Sequence, residues 1–161
     1  MGQTSTKHTN AICVIRNNQV NGVIKINEIN RHMVHITGQI TGLSPGLHGF
    51  HIHRCGNLEK ECDSCCDHYN PHGKKHGGPN SNERHVGDLG NIKANKQGIA
   101  IIDQMDHLVK LSGPYSVIGR SFVVHESEDD LGQGTGKLRE ESYRTGNAGK
   151  RIGCGVIGID E

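Results

Sequence analysis

The feature that most constrains this fold is the spacing of its apolar residues, which come in short runs and never settle into a helical repeat. Val34, Ile36 and Ile40 alternate with polar neighbours as a half-buried strand requires, because successive strand side chains point to opposite faces. Further β-rich runs lie at residues 11–15, 23–26, 49–53, 88–94, 99–102, 117–125 and 155–159. Turn-forming residues separate them, among them Asn17-Asn18, Ser44-Pro45-Gly46 and the hairpin turn Asn95-Lys96-Gln97-Gly98. A short run at 108–111 reads as part of a connection. About eight strands, two long loops and no helix predict an all-β fold, an eight-stranded antiparallel sandwich or Greek-key barrel. Loops as long as these are usually functional when ordered.

With 161 residues, one domain is the natural count: residues 1–10 read as a flexible tail and 11–161 as the domain. Glycine is abundant at 23 residues, tryptophan is absent and only 32% of residues are hydrophobic, so the core is thin and would gain from metal or disulfide support. A net charge of +1 gives no reason to expect nucleic acid or a membrane as partner. The polar start MGQTSTKHTN lacks a signal peptide's apolar core, and no run is long enough to span a membrane, so the expected location is the cytoplasm. Gly2 with Thr6 fits a myristoylation pattern, although an ordinary tail matches it as well. The six cysteines, at 13, 55, 62, 65, 66 and 154, form no evenly spaced secretory framework.

Six of the twelve histidines crowd into residues 51–88. His51 and His53 form an H-x-H pair on an expected strand, which places both rings on one face with Cβ atoms ~6–7 Å apart. Alone, such a pair is ordinarily a solvated strand face. Its company argues otherwise: His68, His76, His85 and Asp88 supply three imidazoles and a carboxylate, the donor set of a closed, tetrahedral zinc site. His125 is the one other histidine flanked by a strongly apolar run, Phe122-Val123-Val124.

Together these motifs resemble the cytosolic copper/zinc superoxide dismutases. The matching segments are GLHGFHIH (46–53), HYNP (68–71), KHGGP (75–79), ERHVGDLGN (83–91), the VVHE around His125 and TGNAGKRIGCGVIGI (145–159), which run from the early strands to the last. The resemblance implies an immunoglobulin-like sandwich. It implies His51, His53, His68 and His125 as copper ligands and His68, His76, His85 and Asp88 as zinc ligands, with His68 bridging the two ions. The implied activity is conversion of two superoxide radicals and two protons to dioxygen and hydrogen peroxide by Cu(II)/Cu(I) cycling. His68 would release copper on reduction, take a proton and donate it to peroxide. Arg151 would draw in the anion, Thr145 line the channel, and Glu140, Glu141 and Arg144 surround its mouth. Asp129 would fix His51 and His76, and Cys62 and Cys154 would form a disulfide. A homodimer with contacts near Gly56, Gly119 and Ile159, and a copper chaperone, are the implied partners.

Several residues depart from that pattern. Cys55 stands where an aromatic is usual, and Cys65-Cys66-Asp67 where small residues and proline are usual. Cys62-x-x-Cys65 alone could mark a dithiol or half a zinc site, but no second C-x-x-C and no βαβ pattern accompany it, so shuffling among Cys62, Cys65 and Cys66 is the expectation. The second loop carries about three extra residues near 134–138 relative to the family pattern, which leaves Lys137 and Arg139 without an assigned role. His72 reads as solvated, His48 as a structural hydrogen-bonding residue and Cys13 as a buried strand residue. A non-catalytic, copper-delivering relative is the competing reading; such proteins lose a copper ligand or the arginine, and this chain has them all.

Overall fold

The computed structural model describes residues 9–161, so Gly2 and most of the expected tail lie outside the described residues. Eight antiparallel strands close into a barrel: β1 (Asn10–Asn17), β2 (Val20–Asn30), β3 (Met33–Thr41), β4 (Gly46–His53), β5 (Asp88–Ala94), β6 (Ala100–Asp106), β7 (Ser121–His125) and β8 (Arg151–Asp160). Their order around the barrel is β1-β2-β3-β6-β5-β4-β7-β8. The chain starts as a meander and then crosses twice, from β3 to β4 and from β6 to β7, as a Greek key does. Two four-stranded leaves result. They share four registered pairs between β1 and β8 but a single one, Ala94 opposite Ala100, between β5 and β6.

Period-two alternation explains what each strand buries. On β3, Val34, Ile36 and Ile40 enter the core while Gln39 is exposed. On β4, Phe50 and Ile52 point inward, and Phe50 stacks on Phe122 of β7 at 5.0 Å between centroids. Odd-numbered β4 residues must then face out, and His51 and His53 do so beside Val123 and Ser121. Yet β4 and β7 are buried on both faces, because the loops at 54–87 and 126–150 fold over their outer surface. Cys13 sits in the core, and burial pushes its thiol up to about 12, which leaves it unreactive.

Sequence and structure differ locally. The run at 117–125, which Gly119 is expected to break, is strand only from Ser121 on, and the chain turns at that glycine with φ +82°. Strand β1 begins at Asn10, one residue before the expected domain boundary. The second loop holds a one-turn 3-10 helix (Gly136–Leu138) and a short α-helix, α1 (Arg139–Thr145), where no helix was expected.

A buried ion pair fastens the first loop. Arg84 donates to Asp106 at 2.8 Å and to the carbonyls of Pro79, His85 and Val86, while Asp106 accepts the amides of Leu108 and Val109. Both residues are almost wholly buried, so removing one strands the other's charge. Asp106→Ala is expected to cost about 3–5 kcal/mol, read as a lower denaturant midpoint at unchanged slope.

Candidate metal centre

The outward histidines of β4 start a cluster that five more residues complete, three from the first loop and one each from β5 and β7. Around His53, the Nε2 atom faces Nε2 of His125 at 3.3 Å, and the donor atoms of His51, His53, His68 and His125 all lie within 4.8 Å of one another. His125 comes from the end of β7, on the same outer face as His51. His53 and His68 oppose each other in a short bridge between the end of β4 and the first loop. A second group adjoins the first through His68: His68, His76, His85 and Asp88 also meet within 4.8 Å. Asp88, at the start of β5 and opposite His51, anchors one carboxylate oxygen on the amides of Gly77 and His85. Its other oxygen lies 2.9, 3.0 and 3.1 Å from Nδ1 of His68, His76 and His85.

Four of the six rings are oriented by their second nitrogen. His53 Nδ1 donates to the Cys66 carbonyl at 2.8 Å and His125 Nδ1 to that of Gly149 at 3.0 Å. Asp129, 1% exposed, accepts from Nε2 of His51 with one oxygen and from Nε2 of His76 with the other, both at 2.7 Å. Asn91 clamps Asp129 by bonding both its amide and its carbonyl. A side chain at Gly146, whose φ is +74°, would collide with the Asp129 carboxylate and the His76 ring, so only glycine fits there. His48 is structural, with its nitrogens 2.7 and 2.8 Å from the carbonyls of His125 and Ser44. His72 is exposed and packs on Tyr115.

Metal ions fit this arrangement. Two buried ring nitrogens, His51 Nδ1 and His68 Nε2, have no hydrogen-bond partner, and a third, His76 Nδ1, meets only the Asp88 carboxylate at 3.0 Å and outside hydrogen-bonding geometry; each points into one of the two donor groups. An orphaned buried polar atom is costly, and a cation at each group would satisfy all three. Protonation favours the same conclusion. Burial, helped by His68, holds His51 and His53 well below the usual histidine range, and burial with His68 and Arg151 pushes His125 to about 4. Burial also lowers His68, against the pull of Asp88. Neutral imidazole is the form that binds metal. At His76 burial is outweighed by Asp129 and Asp88, which raise it to about 9, so a metal there must displace a proton. Burial disfavours the Asp88 carboxylate too, but its three histidine contacts hold it far below the carboxylate range.

Of the histidines, His53, His68 and His125 open onto a cavity of about 380 Å³ that Thr145, Glu141, Arg144 and Arg151 also line. Arg151 donates to the Cys62 carbonyl at 2.9 Å, and a disulfide joins Cys62 to Cys154 on β8. A larger hollow of about 990 Å³ lies beyond Arg151, but none of the clustered histidines lines it. Arg144 pairs with Glu141 at 2.9 Å, and Thr145 donates to Glu141 at 2.7 Å. Glu140 lines a neighbouring surface hollow with Arg144. Sequence reasoning missed the carbonyls of Cys66 and Gly149, the clamp by Asn91 and a second disulfide, Cys55–Cys66. In place of the expected shuffling, the structure has two defined bonds and a buried Cys65 thiol.

Comparison with known proteins agrees with this geometry. The family model for copper/zinc superoxide dismutase (SODC) matches residues 20–157. An extracellular superoxide dismutase [Cu-Zn] of Onchocerca volvulus is 52% identical over 92% of this chain and 75% of its own length. A superoxide dismutase [Cu-Zn] of the same organism is 48% identical over 94% and 96%, and superoxide dismutase [Cu-Zn] 5 of Dictyostelium discoideum over 94% and 98%, again at 48%. The crystal structure of the clock protein EA4 superposes with a TM-score of 0.91 at 43% identity over 99% of this chain. With two donor groups sharing His68 and relatives of this similarity along its length, the chain belongs to the copper/zinc superoxide dismutase family, an enzyme that converts superoxide to dioxygen and hydrogen peroxide with copper and zinc as cofactors.

Proposed function

We propose the following division of labour among the residues of this dismutase; the observation that carries it is the set of three buried imidazole nitrogens that make no hydrogen bond and point into two adjoining donor groups. His51, His53, His68 and His125 hold copper, and His68, His76, His85 and Asp88 hold zinc. When bound, copper supplies one-electron exchange in both directions and zinc a fixed charge that keeps His68 in place. His68 Nε2 opens on the cavity, where it takes up a proton whenever it is not a ligand and hands it to departing peroxide. Arg151, charged at any working pH, attracts the superoxide anion into the cavity. Its guanidinium is aimed by the Cys62 carbonyl, so the Cys62–Cys154 disulfide positions it as well as the loop. Thr145 narrows the cavity, and the Glu141–Arg144 pair with Glu140 sets the charge at its mouth. Asp129 locks one ring from each donor group, coupling the two sites mechanically.

A homodimer is the favoured assembly. Ile159 is 64% exposed and Val156 39%, and the β8 segment carrying them adjoins Gly56 and Gly119, which pack so closely that a side chain at Gly56 would meet the Gly119 carbonyl. An apolar patch of this kind on a small protein fits a second copy of itself. Copper delivery by a chaperone belongs to the same reading. No helix among the described residues is long and apolar enough to cross a membrane. The two disulfides and the names of relatives such as the Onchocerca extracellular enzyme favour an oxidising compartment over the cytoplasm expected from the polar start of the chain.

Arg151→Ala should slow superoxide decay at least about tenfold at low ionic strength while both metals stay bound, checked by a decay assay with metal analysis; an unchanged rate would remove Arg151 from the mechanism. Asp129→Ala frees two rings at once and should weaken metal binding about 10- to 100-fold, measured by chelator competition. Ile159→Lys should shift the sedimenting species toward monomer in ultracentrifugation, whereas an unaltered dimer would place the interface elsewhere.

A further inference from the structure

The bond between Cys55 and Cys66 lies beside the site rather than in it, and no role above uses it. Cys66 has φ +65° and ψ −161°, a region that residues with a β-carbon seldom enter and that glycine enters freely. Its carbonyl is the acceptor that fixes the His53 ring, with Nδ1 donating at 2.8 Å and Nε2 left facing His125. The segment runs antiparallel to the end of β4: Arg54 donates to the Asp67 carbonyl, Cys55 to that of Cys65, and His53 opposes His68. Covalent closure between Cys55 and Cys66, with Cα atoms 5.4 Å apart, therefore falls close along the same ladder to the His53–His68 rung. The Arg120 guanidinium donates to the Arg54 carbonyl and the Ser121 hydroxyl to that of Cys55, which ties the β4 extension to the start of β7, so the fixed end of the bond is the barrel and the restrained end is the loop.

We infer that the Cys55–Cys66 disulfide is a positioning device for the copper site: it holds Cys66 in a backbone conformation that its side chain disfavours, and so aims the carbonyl that orients His53. The inference rests on His53 being a copper ligand. It also explains why one residue does two jobs that pull apart, since a β-carbon at 66 opposes the turn while the sulfur bonded to it enforces the turn.

Glycine separates the two effects. Three forms are compared in zinc-loaded protein: the unaltered chain, Cys55→Ser with Cys66→Ala, and Cys55→Ser with Cys66→Gly. Copper affinity is measured by chelator competition, and the Cu(II) site by electron paramagnetic resonance. The alanine form should bind copper about 10- to 100-fold more weakly, with an altered spectrum, because nothing then enforces the turn. The glycine form should recover the original spectrum and most of the affinity without any bond at that place. Equal behaviour of the alanine and glycine forms, whether both match the unaltered chain or both fall short of it, overturns the proposal, since the bond would then only add general stability. If the alanine form does not fold, Cys55→Ser alone takes its place. Folding of the glycine form when neither of those folds supports the proposal, and failure of all the altered chains to fold overturns it. His53→Ala tests the underlying assignment separately: an unaltered Cu(II) spectrum in that variant would remove His53 from the copper set whatever the disulfide forms show.

Discussion

Phe50 stacks on Phe122, and by doing so decides where the chemistry goes. Once those rings fill the barrel, the pleat sends His51 and His53 to the opposite face of β4 and His125 to the same face of β7. Core packing and site geometry are thus one constraint seen from two sides. A slip of one residue in the β4–β7 register would place imidazoles in the apolar core and phenyl rings in the donor groups, losing the fold and the site together.

What the strands begin, the loops complete. Asp88 reaches the cluster from the start of β5, and His68, His76 and His85 arrive on a loop with almost no regular structure. Such a loop needs other restraints, and it has several: the Arg84–Asp106 pair, the Cys62–Cys154 bond, and Asp129 reaching in from the second loop. Each brings a polar or covalent link into a buried place, where loss of one partner is costly. Metal adds to the same set of restraints, since neither donor group balances its own lone pairs without a cation.

Legibility in the sequence followed physical range. The strands were readable because a period of two is local, and the donor set His68, His76, His85 and Asp88 because its residues lie close together in sequence. Asp129 was reachable only through resemblance: nothing near it in sequence shows that it spans His51 and His76. Helix α1 escaped because it is seven residues long and buries only Ser142, so it carries no apolar stripe to detect. The Cys55–Cys66 pairing escaped for another reason, since cysteine connectivity depends on which backbone segments become neighbours. Spacing alone drew attention to Cys62 and Cys65, and Cys65 proved to be the one loop cysteine left unbonded.

Ala94 opposite Ala100 is the only rung between β5 and β6, and its sparseness has a mechanical meaning. Every donor side chain belongs to the leaf of β4, β5, β7 and β8 or to the loops, and none to the leaf of β1, β2, β3 and β6. Across the thin seam the leaves meet through that rung and a few side chains, such as Gln104 reaching the Leu89 carbonyl and Arg84 reaching Asp106. Thermal breathing should therefore concentrate at this seam and leave the donor-bearing leaf rigid. In that sense the barrel is divided into a working plate, which carries the strand-borne donors, and a backing plate, and the thinnest seam between them is the single β5–β6 rung.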